Sequence, residues 1–275
     1  MDDAEFQRWA ELLRKRTGMN LSPVRRAFLA SVIDQRMRQL GLTGYDGYYA
    51  YVLADGAGMF EWRALVGRLT VQETRFFRDP SALQLLTHEC LPAMAQRIGT
   101  GEAVHVWSVG CATGEEPFTL AMLIDRYLQS AGVRPYFGVV GSDISLQALA
   151  HARLGCYSEA RLAGIPAAYR AYYCRTRPAG GFRVANHLRR RVCFIHANVL
   201  DAANVSLPAM DLIYCQNVLL YFDRAQREAI ATALADRLRP GATLVLGAGE
   251  LVGWQRSDLQ RVGGTDLLAY RRRKT

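Results

Sequence analysis

No apolar run in this chain approaches the roughly 18 to 20 residues that a membrane-spanning helix requires, so an integral helical membrane protein is excluded. A secretory leader is also missing. Asp2, Asp3 and Glu5 stand where such a leader needs cations and then an apolar stretch, and a cytoplasmic protein is expected. CxxC does not occur, and the six cysteines are widely spread. The five histidines show no ligand spacing, so no metal site is expected. Cys193 in Val-Cys-Phe-Ile and Cys215 in Ile-Tyr-Cys lie in apolar stretches and read as small buried thiols. Internal repeats and low-complexity segments are lacking. Half of the 275 residues are apolar and 21% charged, which excludes wholesale disorder. The length suits one large domain, or a small domain joined to a medium one.

Acidic residues are the scarcer charge, and the net charge is +9. An acidic partner is implied, whether nucleic acid, anionic membrane or an acidic protein surface. The excess is concentrated. Residues 8–38 hold Arg8, Arg14, Lys15, Arg16, Arg25, Arg26, Arg36 and Arg38 against Glu11 and Asp34 alone. Residues 161–191 hold eight arginines and no acid. A solvated face explains either run taken singly; two such runs favour a binding surface.

The first eighty residues read as helices. Phe6, Trp9, Leu12 and Leu13 recur at helical spacing, as do Phe28, Leu29, Val32, Ile33 and Met37. Ser22-Pro23 predicts the start of the second helix and Gly41 its end. Further helices are predicted over 48–53 and 61–69. From about residue 103 strands and helices alternate: strands over 104–109, 136–141, 192–196, 210–214 and 243–248, helices over 117–130, 145–153 and 224–238. That alternation predicts an α/β domain with a parallel sheet covered on both faces. Residues 156–191 interrupt it and read as an inserted subdomain.

The first strand runs into Gly110-Cys111-Ala112-Thr113-Gly114-Glu115-Glu116. Glycines directly after a strand allow a tight turn and close approach to a ligand. The pattern is GxxxG, without the lysine of a P-loop, and its two glutamates would repel a pyrophosphate. They suit a cationic ligand carrying an amino group and a sulfonium. The second strand ends in Asp143, the place of a ribose-hydroxyl acceptor, although Asp143 could instead cap the helix beginning near Ser145. Loop, acid pair and ribose acid together point to S-adenosylmethionine.

Six segments in order then carry a resemblance. They are residues 69–79 (LTVQETRFFRD), 106–120 (VWSVGCATGEEPFTL), 142–144 (SDI), 197–200 (ANVL), 211–223 (DLIYCQNVLLYFD) and 238–250 (LRPGATLVLGAGE). The chain resembles the CheR-type methyltransferases, which methylate glutamates of chemotaxis receptors, over about residues 10–270. The resemblance implies a helical N-terminal domain with linker over 1–80. It also implies a Rossmann-like class I methyltransferase domain over 81–275, with a small inserted β-subdomain at about 156–191. It implies S-adenosylmethionine as cofactor and S-adenosylhomocysteine as product. Gln72, Thr74 and Arg78 are then expected at the cofactor from the linker side, Gly110 in contact with it, Glu116 at its amino end, and Asp143 at the ribose. Asn198 and Val199 are expected by the adenine, Gln216 and Asn217 beside the cofactor, and Tyr221 facing methyl transfer. Arg78 and Tyr221 are the expected catalytic pair.

The family pattern has asparagine at Gln72 and arginine at Gln216. The first change keeps the amide and adds a methylene; the second loses a positive charge. The resemblance further implies receptor helices as partner, received by Arg25, Arg26 and Arg36 of the basic helical domain, and a monomer with no nucleic acid and no membrane insertion. In some relatives the β-subdomain grips a receptor tail by strand addition; the short arginine-rich insert here does not establish one. Two other readings remain open: a non-catalytic cofactor-binding scaffold, suggested by Gln72 and Gln216, and an RNA methyltransferase, suggested by the charge. Against the latter, Gln216-Asn217-Val218-Leu219 stands where an Asn-Pro-Pro-Tyr motif would be needed.

Overall fold

Asp2 starts the chain's first helix by accepting the Glu5 N–H while the Glu5 side chain accepts from Asp2 N–H, a reciprocal cap. The computed structural model describes residues 1–274. In its helical part α1 (Asp3–Thr17), α2 (Arg26–Leu40), α3 (Tyr45–Leu53) and α4 (Ala57–Leu69) bury Trp9, Leu13, Leu29, Ile33, Tyr48 and Leu65 in one core. Ser22-Pro23 opens a single 3-10 turn, Pro23–Arg25, before α2 begins at Arg26. Gly41 ends α2 in the left-handed conformation.

An extended linker, residues 70–79, leads to α5 (Pro80–Leu85) and α6 (Leu91–Gly99), which the sequence pattern did not announce. The α/β part follows as β1 (Val104–Val109), α7 (Glu115–Ser130), β2 (Phe137–Asp143) and α8 (Leu146–Leu154). Then come the insert's β3 (Cys156–Tyr157), α9 (Ala167–Tyr173), β4 (Cys174–Thr176), β5 (Phe182–Val184) and α10 (Asn186–Arg189). The chain closes with β6 (Val192–His196), β7 (Met210–Cys215), α11 (Arg224–Asp236), β8 (Leu238–Leu246), β9 (Leu259–Val262) and β10 (Leu268–Arg272).

Seven strands form one sheet in the order β6-β2-β1-β7-β8-β10-β9. The first five are parallel, whereas β10 runs antiparallel to both β8 and β9. The expected parallel sheet therefore gains an antiparallel hairpin at one edge, which its short strands concealed. β8 also begins five residues before the predicted start. Its register with β7 jumps between Met210 and Leu212, and Pro240-Gly241 occupy that irregularity. Cys193 is exposed because β6 is an edge strand, correcting its reading as buried; Cys215, on β7, is buried.

The chain order reverses between β1 and β7, so the crevice above their carboxyl ends is where such a sheet takes a ligand. The insert does not stand apart from it. Phe76 of the linker packs edge-on against Tyr157 and tilted against Phe182, with ring centroids 5.0 and 5.9 Å apart. Phe77 meets Tyr169 at 5.0 Å. The Tyr173 hydroxyl donates to buried Asp125 on α7 at 2.8 Å. The insert thus clamps the linker over the sheet.

Candidate functional site

Every glycine-loop contact begins at the end of β1. Gly110 and Cys111 N–H both donate to the Ser142 carbonyl, tying the loop to β2 at 2.8 and 2.9 Å. Gly110 has φ +70, and a Cβ there would lie 2.3 Å from Val218, so only glycine lets the two loops approach. The helix after the loop starts at Glu115, two residues earlier than predicted. That places Glu115 and Glu116 in its first turn, where the helix dipole favours negative charge.

Around this loop is a cleft of about 280 Å³ lined by Gln72, Thr74, Arg78, Gly110, Glu116, Asp143, Asn198, Val199, Gln216, Asn217 and Tyr221. All the expected cofactor and transfer residues therefore share one cavity. The helical part adds Thr17 and Met19 to its wall, and the linker adds Arg75. None of these three was singled out from sequence. Arg75 lies inside the Gln72–Asp79 motif and was legible there; Met19 lies in an unremarkable loop. Gly18 makes that contact possible, since a Cβ would sit 2.7 Å from both Leu200 and Phe222. Asn20 N–H donates to the Tyr221 carbonyl at 2.8 Å.

Asp143 accepts the Ala112 N–H on Oδ2 and the Ser145 N–H on Oδ1, both at 2.8 Å. Ser145 itself caps α8 through its hydroxyl, so the helix does not need Asp143 as its cap. Burial pushes the Asp143 carboxyl up, and the backbone donors oppose that shift. Glu116 accepts from the Ser108 hydroxyl at 2.6 Å. Burial pushes its pKa up to about 8, with Ser108 and Arg78 pulling down and Glu250 pushing up.

Among the described residues three with side chains hold left-handed backbones: Phe77, Ala112 and Asn217. All three lie in the linker or in loops beside the cleft. Strain concentrated at one place is a mark of a functional site.

Gln72 donates to the Gly67 carbonyl and the Ser145 hydroxyl, at 3.1 and 3.0 Å, so its longer amide braces the linker against α8. Gln216 is buried and donates to Asp79 at 2.7 Å, while Asp79 also caps α5. A neutral donor on the Asp79 carboxylate keeps the linker end attached to β7 without the missing positive charge. Arg78 donates to the Glu73 carbonyl at 2.9 Å, and its charge reaches Glu116, Tyr214 and Tyr221. Tyr221 is half-buried and packs against the cores of both parts of the molecule.

The expected substrate cations separate. Arg25 stands outside the cleft with its guanidinium 5.2 Å from the Phe28 ring centroid, and its charge reaches Tyr221. Arg26 pairs with Asp3. Arg36 is held in a structural group: it binds Glu61 in two places, at 2.8 and 2.5 Å, and Tyr48 closes the group at 2.6 Å. Glu61 is buried, and an unpaired carboxylate there would be costly. Arg36→Ala is expected to cost on the order of 3 kcal/mol, seen as a fall in Tm of several degrees by calorimetry. Arg25→Ala should leave Tm nearly unmoved.

The second basic run is also largely committed. Arg161 donates to the Thr74 carbonyl at 2.5 Å and lies 3.7 Å from Glu115. Arg170, Arg183 and Arg191 donate to the carbonyls of Ile165, Leu154 and Pro135. Much of the arginine excess therefore serves carbonyl groups rather than a binding face.

A glycine turn at the sheet's reversal point, an acid at the tip of β2 and a second acid under the loop define a protein that binds an adenosyl cofactor of positive charge. Residues 72–267 match the family model "CheR methyltransferase, SAM binding domain", and residues 4–70 match "CheR methyltransferase, all-alpha domain". A chemotaxis protein methyltransferase of Escherichia coli is 33% identical over 91% of this chain and 85% of its own length. One from Borreliella burgdorferi is 27% identical over 90% of this chain and 88% of its own. The probable biofilm formation methyltransferase WspC of Pseudomonas aeruginosa is 31% identical over 96% of this chain and 61% of its own. The chain belongs to the CheR methyltransferase family and is an S-adenosylmethionine-dependent methyltransferase. No helix among the described residues is long and apolar enough to cross a membrane.

Proposed function

We propose that this enzyme methylates glutamate side-chain carboxylates of a methyl-accepting chemotaxis receptor in the cytoplasm, giving glutamyl methyl esters. One observation carries the reading: among the described residues, no histidine, lysine or cysteine lines the cleft, while Arg75 and Arg78 do. A glutamate carboxylate is already an anion at neutral pH, with a reference pKa of about 4.3, and needs no base to act as nucleophile. A site furnished with guanidinium suits that anionic substrate. The relatives' role in chemotaxis supports it.

The residues fit the cofactor. Gly110 leaves room that a Cβ would fill, and Asp143 retains a lone pair on each oxygen for a ribose diol. Glu116 supplies an anion for an amino group. The cofactor supplies an electrophilic methyl group when bound. Arg78 steers the incoming carboxylate, and Tyr221 offers it a hydroxyl. The linker, held by Phe76 and Phe77, excludes water from above. Arg25, outside the cleft with its charge reaching Tyr221, attracts the acidic receptor helix.

Radiolabelled S-adenosylmethionine with receptor, RNA or neither tests the reading. Label is expected on the receptor alone and should leave as methanol in mild base. Label on RNA, or none at all, would overturn it.

Glu116 makes cofactor affinity depend on pH. With its pKa at about 8, an ammonium ligand must displace a proton below pH 8, weakening binding up to ~10-fold per unit. At higher pH the ligand's own α-amino group loses its proton and binding weakens again. Titration with S-adenosylhomocysteine should therefore show affinity rising from neutral pH to about pH 8 and falling again in stronger alkali. Glu116→Gln should flatten the acid side of that profile.

A further inference from the structure

Among the described residues, Arg161 alone of the second basic run hydrogen-bonds to the linker. It sits in a 3-10 turn of the insert, Glu159–Gly164, and its Nη1 donates to the Thr74 carbonyl at 2.5 Å. Its Nε lies 3.7 Å from Oε1 of Glu115, which is 1% exposed in the first turn of α7. The other Glu115 oxygen accepts from the Thr113 hydroxyl of the glycine loop at 2.6 Å. One planar guanidinium therefore reaches from the linker to the helix that carries Glu116. The same insert turn also presses on the linker at its end, where a Cβ on Gly164 would lie 3.0 Å from the Phe76 carbonyl oxygen.

Thr74 follows Glu73, whose carbonyl anchors the Arg78 guanidinium at 2.9 Å. Arg75 donates to the Arg78 carbonyl at 3.4 Å, so residues 73–78 form one closed loop. The rings of the insert pin that loop at Phe76 and Phe77, and the Phe77 N–H donates to the Thr119 hydroxyl oxygen on α7 at 3.2 Å. Those contacts leave the start of the loop, where Arg78 is anchored, to Arg161. Compensation of the buried Glu115 charge does not by itself explain the arrangement. A cation could meet that carboxylate from any side, whereas Arg161 makes its short contact with the carbonyl and its longer one with the carboxylate. Arg161 is not among the residues lining the cleft, so it acts through others.

We propose that Arg161 is a positioning residue for methyl transfer: by holding the Thr74 carbonyl against α7 it fixes the 73–78 loop and so sets where the Arg78 guanidinium stands in the cleft. The assignment rests on the proposed role of Arg78. It gives the insert a part in the reaction, as the element that keeps the linker in register with the glycine loop. The glycine loop itself is held separately, by its bonds to the Ser142 carbonyl and by the Tyr157 hydroxyl on the Thr113 carbonyl.

Arg161→Met keeps the stem and removes every donor. It is expected to lower kcat for receptor methylation at least ~10-fold, with the Kd for S-adenosylhomocysteine within about threefold. Combined with Arg78→Lys, the losses should not add, because both changes act on one group. Arg161→Lys, able to reach only one of the two partners, should recover part of the rate. Amide exchange at Phe77 should quicken at least ~10-fold, a readout that needs no receptor. The kcat loss should persist when Arg161→Met is placed in a Glu115→Gln background and compared with Glu115→Gln alone. If Arg161→Met does not accumulate folded, that pair, which leaves no buried charge behind, serves the same measurements. Unchanged kcat, unchanged exchange at Phe77, or losses that add with Arg78→Lys would each overturn the assignment. A loss that vanishes beside Glu115→Gln would overturn it too, reducing Arg161 to a counter-charge for Glu115. Absent methylation by the wild-type enzyme would instead overturn the substrate reading, leaving amide exchange to judge Arg161.

Discussion

Replacing Asp143 with alanine is expected to weaken S-adenosylhomocysteine binding by about 30- to 1000-fold, the equivalent of roughly 2 to 4 kcal/mol. The carboxylate sits at the tip of β2 with each oxygen already taking one backbone N–H, so its geometry is set before any ligand arrives. A diol meeting such a fixed acceptor forms two charge-assisted hydrogen bonds without reorganising it. The cost to folding should be small by comparison. Ser145 caps α8 through its own hydroxyl, so what is lost is the pair of hydrogen bonds from the Ala112 and Ser145 N–H groups. Tm is expected to fall by no more than a few degrees. Calorimetric titration and melting on one preparation decide the point. Unchanged affinity beside a lowered Tm would reduce Asp143 to a support for the glycine loop.

Arg78→Lys should lower kcat at least ~10-fold, about 1.4 kcal/mol of transition-state stabilisation, while leaving Tm nearly constant. The guanidinium is anchored by one donor to the Glu73 carbonyl, which leaves the remaining face of its planar fork for a carboxylate. Lysine keeps the charge and loses the fork. The neighbouring Phe76 and Phe77 fix the linker whichever residue stands at 78, because they are held by aromatic rings of the insert. Arg78 forms no ion pair among the described residues, so little stability rests on it. A lowered Tm with near-normal kcat would remove Arg78 from the transfer step.

The family and the cleft were legible in the sequence because their signals are short and contiguous. Gly110 to Glu116 and Gln72 to Asp79 each carry a loop whose meaning depends on spacing alone. The chain folds so that strand ends bring such loops together, which is a property of parallel α/β sheets in general. Hydrophobic periodicity placed the helices of the first seventy residues, and strand alternation placed the five parallel strands.

Partnerships between distant residues were decided only in three dimensions. Arg36 reads as one of eight similar cations until Glu61 is found buried beside it. Gln216 reads as a lost charge until Asp79 is found on the other side of the hydrogen bond. The short β9 and β10 carry too few residues to show a period, and their pairing with β8 supplies the order that their sequence lacks. By itself the sequence determined the helices of the first seventy residues, the five parallel strands, the loops at the sheet's crevice and what charge of ligand they suit, since backbone propensity and local spacing act over a few residues. The tertiary structure decided which charges remain available and which are spent. The energy of a charge depends on burial and on its partner, and both are set by residues far away in the chain.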